Sequence, residues 1–149
     1  MSRFADGIIA FERGDFNKAA ALFTAAINEG DNVAAALSKR GVCRIKWGDG
    51  DEAERDFRQA LAVDDRCLSA MVNLGNLILE RGNFDDAQVY YDRAIRIDET
   101  YAFAHYNLGV LHRKRGEFAA SIRELRLAAK YEVKSESTKK RLAWRKKWG

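Results

Sequence analysis

Two histidines, two cysteines and one Asp-Gly-Asp turn are the parts of this sequence whose chemistry could go beyond packing. His105 and His112 lie seven residues apart, on one face of any helix that holds both, and such a pair could begin a metal site or move a proton. A zinc site needs at least a third protein ligand, and none is indicated at a compatible spacing. Both histidines stand where Met71 and Ile78 stand 34 residues earlier, so both are expected in a helix interface. Cys43 falls where Leu77 and Leu111 recur and reads as a small buried hydrophobe. Two isolated cysteines, Cys43 and Cys67, make neither a disulfide framework nor a metal site, and a reducing cytoplasm is the simplest setting for them.

The turn at Asp49-Gly50-Asp51 hints at calcium, but no twelve-residue ligand series follows it. Gly48-x-Gly50-x-x-Ala53 hints at a dinucleotide loop, but a helix precedes it where a strand is required. No phosphate loop, nucleophile motif or converging acid–base set is present. The sequence therefore predicts no catalysis, no cofactor and no metal.

The elements that carry these residues repeat. Gly7, Gly41, Gly75 and Gly109 are spaced by 34 residues, as are Gly14, Gly48, Gly82 and Gly116. Ala19, Ala53, Ala87 and Ser121 hold the period, followed by Phe23, Phe57, Tyr91 and Leu125, and then Ala26, Ala60, Ala94 and Ala128. Five positions held over four copies without an insertion identify a helical solenoid. Apolar residues at helical spacing, such as Met71, Leu74 and Ile78, lie around the first glycine of each copy, and the second glycine ends that helix. Asp15, Asp49 and Asn83 can cap the next helix, whereas Glu117 can only favour its positive end. A glycine inside a helix costs about 1 kcal/mol relative to alanine, so its return in each copy points to close approach of a partner helix.

These residues resemble the tetratricopeptide repeat family, most clearly through Val72-Asn73-Leu74-Gly75 and Tyr106-Asn107-Leu108-Gly109. The resemblance implies an all-α, right-handed superhelical solenoid of helix-turn-helix units. Four units are expected within residues 1–134, at about 1–33, 34–67, 68–101 and 102–134. The first is degenerate, with Arg3 and Asp6 at apolar positions, and is read as a frayed amino-terminal cap. The family's usual proline after the second helix is missing; Asp31, Asp65, Glu99 and Val133 stand there, and the three acidic residues are expected to break or cap the helices instead.

The charge is uneven. The chain carries a net charge of +4, yet residues 130–149 hold eight Lys or Arg against two acidic residues, and the preceding part is slightly negative. Residues 135–149 are read as a basic C-terminal capping helix or tail, with Lys139, Lys140, Arg141, Trp144, Arg145, Lys146, Lys147 and Trp148 as a candidate basic surface. A tail of this kind could hold RNA or an acidic surface. No apolar run approaches the ~20 residues of a membrane span, and a cytoplasmic location is expected.

The remaining functional surface is the concave groove that the resemblance implies, lined by the first helix of each unit. By register its lining includes Lys39, Val42 and Lys46, then Ser69, Val72, Asn73, Asn76 and Glu80, then Phe103, Tyr106, Asn107, Val110 and Lys114. An asparagine amide offers both donor and acceptor, so a row of asparagines can bond a peptide backbone without reading its side chains. The cation clamp of family members that grip the carboxy terminus of heat-shock chaperones is absent at the matching positions. The expected role is a non-catalytic scaffold or adaptor binding a peptide or helix of a protein partner. The alternative is a self-assembling unit, a homo-oligomer through a repeat edge or the tail.

Overall fold

A computed structural model of the protein describes residues 2–134. They form eight α-helices: α1 (Arg3–Glu12), α2 (Phe16–Asn28), α3 (Val33–Lys46), α4 (Gly50–Val63), α5 (Leu68–Glu80), α6 (Phe84–Ile97), α7 (Ala102–Lys114) and α8 (Phe118–Lys134). Each odd-numbered helix packs antiparallel on the even one that follows, and each pair packs on the next. The odd helices also approach each other, α3 with α5 and α5 with α7, which sets them on the inner layer of a right-handed superhelical solenoid.

The turn inside each pair is one device used four times. At Gly82 the backbone enters the left-handed region (φ +84°), and the Asn83 N–H reaches back to the Ile78 carbonyl (3.2 Å). The Asn83 side chain then accepts from the Asp86 N–H and opens α6, as Asp15 and Asp49 do for α2 and α4. Inside the helices, glycine answers a different need. A Cβ added to Gly75 would lie 2.7 Å from Cε1 of Tyr91, a fully buried ring, so only a bare Cα lets α5 and α6 come this close. The same pairing joins Gly7 to Phe23, Gly41 to Phe57 and Gly109 to Leu125.

Two expectations are corrected. Helices α4 and α6 are ended by Asp64 and Asp98, one residue before the expected Asp65 and Glu99. Each turns to extended backbone, and its carboxylate accepts the N–H two residues on, from Arg66 or Thr100 (both 3.0 Å). The position equivalent to these aspartates in the last unit is Glu132. A glutamate is one methylene too long for that turn, and α8 runs on through Lys134. The first unit, in turn, is not frayed. Helix α1 is regular, capped by the Ser2 side chain on the Ala5 N–H, and its Phe4 N–H bonds the Asp31 carboxylate (3.2 Å). Arg3, polar where the next two units are apolar, is exposed and pairs with Glu29 (3.5 Å).

The core is not uniform. An apolar block built on Phe57, Met71, Leu74, Tyr91, Leu108 and Leu111 fills α4 to α7. A second block, built on Phe23, Ala19, Ala36 and Cys43, fills α1 to α3. Burial pushes the Cys43 thiol above its ordinary pKa, so it stays protonated and packs as a hydrophobe. Where Leu74 and Leu108 stand in later units, α3 carries Arg40, and the Arg40 guanidinium grips Asp56 with both arms (2.8 and 3.0 Å). Asp56 is 2% exposed and also meets Arg44 (3.0 Å), while Arg40 donates a third bond to Thr24 (3.2 Å).

Candidate protein-binding groove

Helices α3, α5 and α7 carry the expected lining residues, and the three rungs differ. On α3, Val42 is half-buried and both cations are engaged: Lys39 Nζ lies 5.0 Å over the Phe11 ring, and Lys46 Nζ lies 5.7 Å over Phe16. On α5, Val72 does not line the groove as expected. It is 4% exposed and belongs to the core, because its position on a first helix faces the next first helix rather than the opening. Asn73 and Asn76 are half-buried and Glu80 is exposed. On α7, Phe103, Tyr106 and Lys114 are exposed, and Asn107 and Val110 are half-buried. Phe103 leans on Tyr101 with ring centroids 5.7 Å apart. Burial pushes the Tyr101 phenol up to about 12, so this aromatic wall is uncharged at neutral pH.

The asparagines are already half engaged inside the protein. Asn73 Nδ2 donates to Ser38 Oγ (3.4 Å), which also accepts from Ser69 Oγ (3.0 Å). Asn76 Oδ1 accepts the hydroxyl of buried Tyr91 (2.6 Å), and Asn107 Nδ2 donates to the Phe103 carbonyl (2.8 Å). Each amide is thereby held in orientation by a partner inside the protein. No sequence signal announces this, since the partners Ser38 and Tyr91 lie on other helices.

The residues with chemistry fall into packing roles. His105, 5% exposed, sets Nδ1 on Glu124 and Nε2 on the Glu99 carbonyl (both 2.7 Å), with Tyr131 beside its ring. His112 Nδ1 meets Glu117 (3.1 Å). Both lie in the α7–α8 interface, as their register requires. Among the described residues no cluster of His, Cys, Asp and Glu could hold a metal ion, and no helix is long and apolar enough to cross a membrane. A feature that sequence reasoning misses is the Arg40–Asp56 pair. Its signal is two polar residues in one unit at places that carry Leu74 and Tyr90 in the next. The basic-tail residues Lys139, Lys140, Arg141, Trp144, Arg145, Lys146, Lys147 and Trp148, and the expected capping helix, lie outside the described residues.

A stack of helical hairpins with an open inner face is the architecture of a helical repeat protein. Residues 75–116 match the family model of the TPR repeat. The fold of the chain is similar to the crystal structure of TTC0263, a thermophilic TPR protein of Thermus thermophilus. That likeness has a TM-score of 0.79 at 22% identity, over 87% of this chain and 73% of that one. It is also similar to the crystal structure of MamA, with a TM-score of 0.69 at 20% identity, over 89% of this chain and 77% of that one. No curated protein matches the sequence. The sequence match to the TPR repeat is confined to residues 75–116, and the likeness along the rest of the stack is one of fold. Proteins of this family generally mediate protein–protein interaction.

Proposed function

We propose that this protein is a non-catalytic adaptor whose concave face holds a peptide or helix segment of a partner protein, centred on α5 and α7. The observation that supports the reading is the pre-set asparagine row. Internal bonds fix Asn73, Asn76 and Asn107 so that alternating acceptor and donor groups remain for a ligand backbone. Ordering these side chains beforehand lowers the entropy lost on binding. Exposed Phe103 beside the row supplies an aromatic anchor, and Lys114 supplies a cation at its edge.

The test compares affinity capture by the wild type with capture by Phe103→Ala/Asn107→Ala. Neither residue supports the core, so the variant folds. The same partner recovered at unchanged affinity through the variant would remove the groove as the working site. Asn76→Ala is unsuitable, because it strips the buried Tyr91 hydroxyl of its acceptor.

A further inference from the structure

The α3–α4 and α7–α8 pairs both enclose an acid, and the cations that hold it differ in kind. Asp56, Tyr90 and Glu124 occupy one place in the 34-residue register. Asp56 is held by Arg40 and Arg44 (2.8 and 3.0 Å), and an arginine stays charged at all working pH values. Glu124 is held by His105, which stands where Leu37 and Met71 stand in the two preceding units. Histidine, unlike arginine, changes its charge near neutral pH.

The bonding of His105 defines which form of the ring suits the closed fold. Nδ1 lies 2.7 Å from the Glu124 carboxylate, and Nε2 lies 2.7 Å from the Glu99 carbonyl. Both partners are acceptors, so both ring nitrogens must donate. Either neutral tautomer would set a bare lone pair against one of these oxygens; the imidazolium makes both bonds. The ring is 5% exposed, so water does not readily replace a lost partner. The surroundings favour a cation. From α8 come Glu124 and the Tyr131 ring, 5.4 Å from the imidazole, with Lys130 Nζ 5.5 Å from the Tyr131 centroid. From α6 comes the half-buried Asp92, whose carboxyl is influenced by Arg96, Glu124 and His112. His112, on α7 itself, is paired with Glu117 (3.1 Å). Helix α5 has no ionisable side chain before its last residue, Glu80, and the Glu99 side chain is exposed. Glu124 and Asp92 thus stand together inside this interface, and a charged His105 offsets them.

We propose that the His105–Glu124 contact is a proton-operated lock on the last hairpin. With the imidazolium in place, α7 is tied both to α8 and to the α6–α7 turn. Loss of one ring proton to solvent releases one of the two ties, with no covalent change. The stability that the lock contributes is whole while the ring is doubly protonated and is lost as pH rises. The arginine-closed α3–α4 pair has no such dependence. Phe103 and Asn107 lie on the same helix as His105, so a partner held there would feel the lock. That consequence alone rests on the groove reading, and the lock is tested without it.

Urea titration of the full chain at about pH 6 and about pH 9 compares the wild type with His105→Met/Glu124→Tyr, which copies Met71 and Tyr90 of the preceding unit. Between the two pH values the unfolding equilibrium constant of the wild type should rise about tenfold more than that of the variant. His112 is present in both chains, so its titration cancels. An equal rise in the two overturns the proposal. Nuclear magnetic resonance of the His105 ring decides the matter even if the double variant does not fold. In the wild type both ring nitrogens should show slowly exchanging N–H signals in mild acid, and in Glu124→Gln the second proton should be lost at a lower pH. A ring with a single N–H throughout, or proton loss unmoved by Glu124→Gln, overturns the assignment.

Discussion

The α3–α4 pair and the α5–α6 pair share one backbone plan and fill it with opposite chemistry. In α5–α6 the interior is Leu74, Met71 and the Tyr91 ring; in α3–α4 the same layer holds Arg40 locked on Asp56 with Arg44 and Thr24 beside it. The glycine–aromatic contact and the glycine turn are identical in both. The repeat's geometry therefore depends on close approach and turn chemistry. It tolerates a charged interior provided that the charge is fully bonded.

The largest expected effect comes from breaking the charged layer. Asp56→Ala leaves two arginines inside without an acid and should lower unfolding free energy by about 3–5 kcal/mol in urea titration. Replacing both partners tests the other side. Arg40→Leu/Asp56→Tyr copies Leu74 and Tyr90 of the next unit, and the variant should be as stable as the wild type or more so, by up to roughly 4 kcal/mol. If the double variant is as unstable as Asp56→Ala, the two layers are not interchangeable. Gly75→Ala forces a methyl into the Tyr91 ring and should cost about 1–3 kcal/mol by the same titration.

Two smaller effects concern the outer faces of these pairs. Hydrogen bonds from Arg58 and then Arg81 hold the Glu54 carboxyl below its usual pKa. Its contribution is present at neutral pH and is lost as pH falls past the ordinary glutamate range and through the lowered folded value. The residue is partly solvated, so Glu54→Gln should cost less than about 1 kcal/mol at pH 7 and nothing in acid. Asp92 has the opposite sign. Burial raises its carboxyl, so its ionised form opposes folding once pH rises through the folded value. Asp92→Asn should raise the melting temperature slightly at pH 7, and that gain should fade as pH falls.

The parts legible in the sequence are those that one unit specifies alone. The 34-residue period, the paired glycines and the caps Asp15, Asp49 and Asn83 each depend on neighbours within a few residues or on one facing ring. The parts that were not legible arise between units. Val72 looks like a groove residue until α7 covers it, and Asn73 is bound to Ser38 of the preceding unit. The helix ends missed by one residue for a local reason: Asp64 and Asp98 close a turn onto their own second neighbour, so the break falls at the aspartate that bonds rather than at the family's proline position.

The charged layer also divides the interior. The apolar block of α1 to α3 and the larger block of α4 to α7 meet around Arg40 and Asp56, with a small patch of Leu37, Ala60 and Ala70 beside them. Ion pairs are directional and break over a short distance, whereas apolar contacts slide. The junction is therefore the brittle joint of an otherwise ductile spring. Pulled from its ends, the molecule should part there first, releasing two blocks in succession rather than unravelling one hairpin at a time.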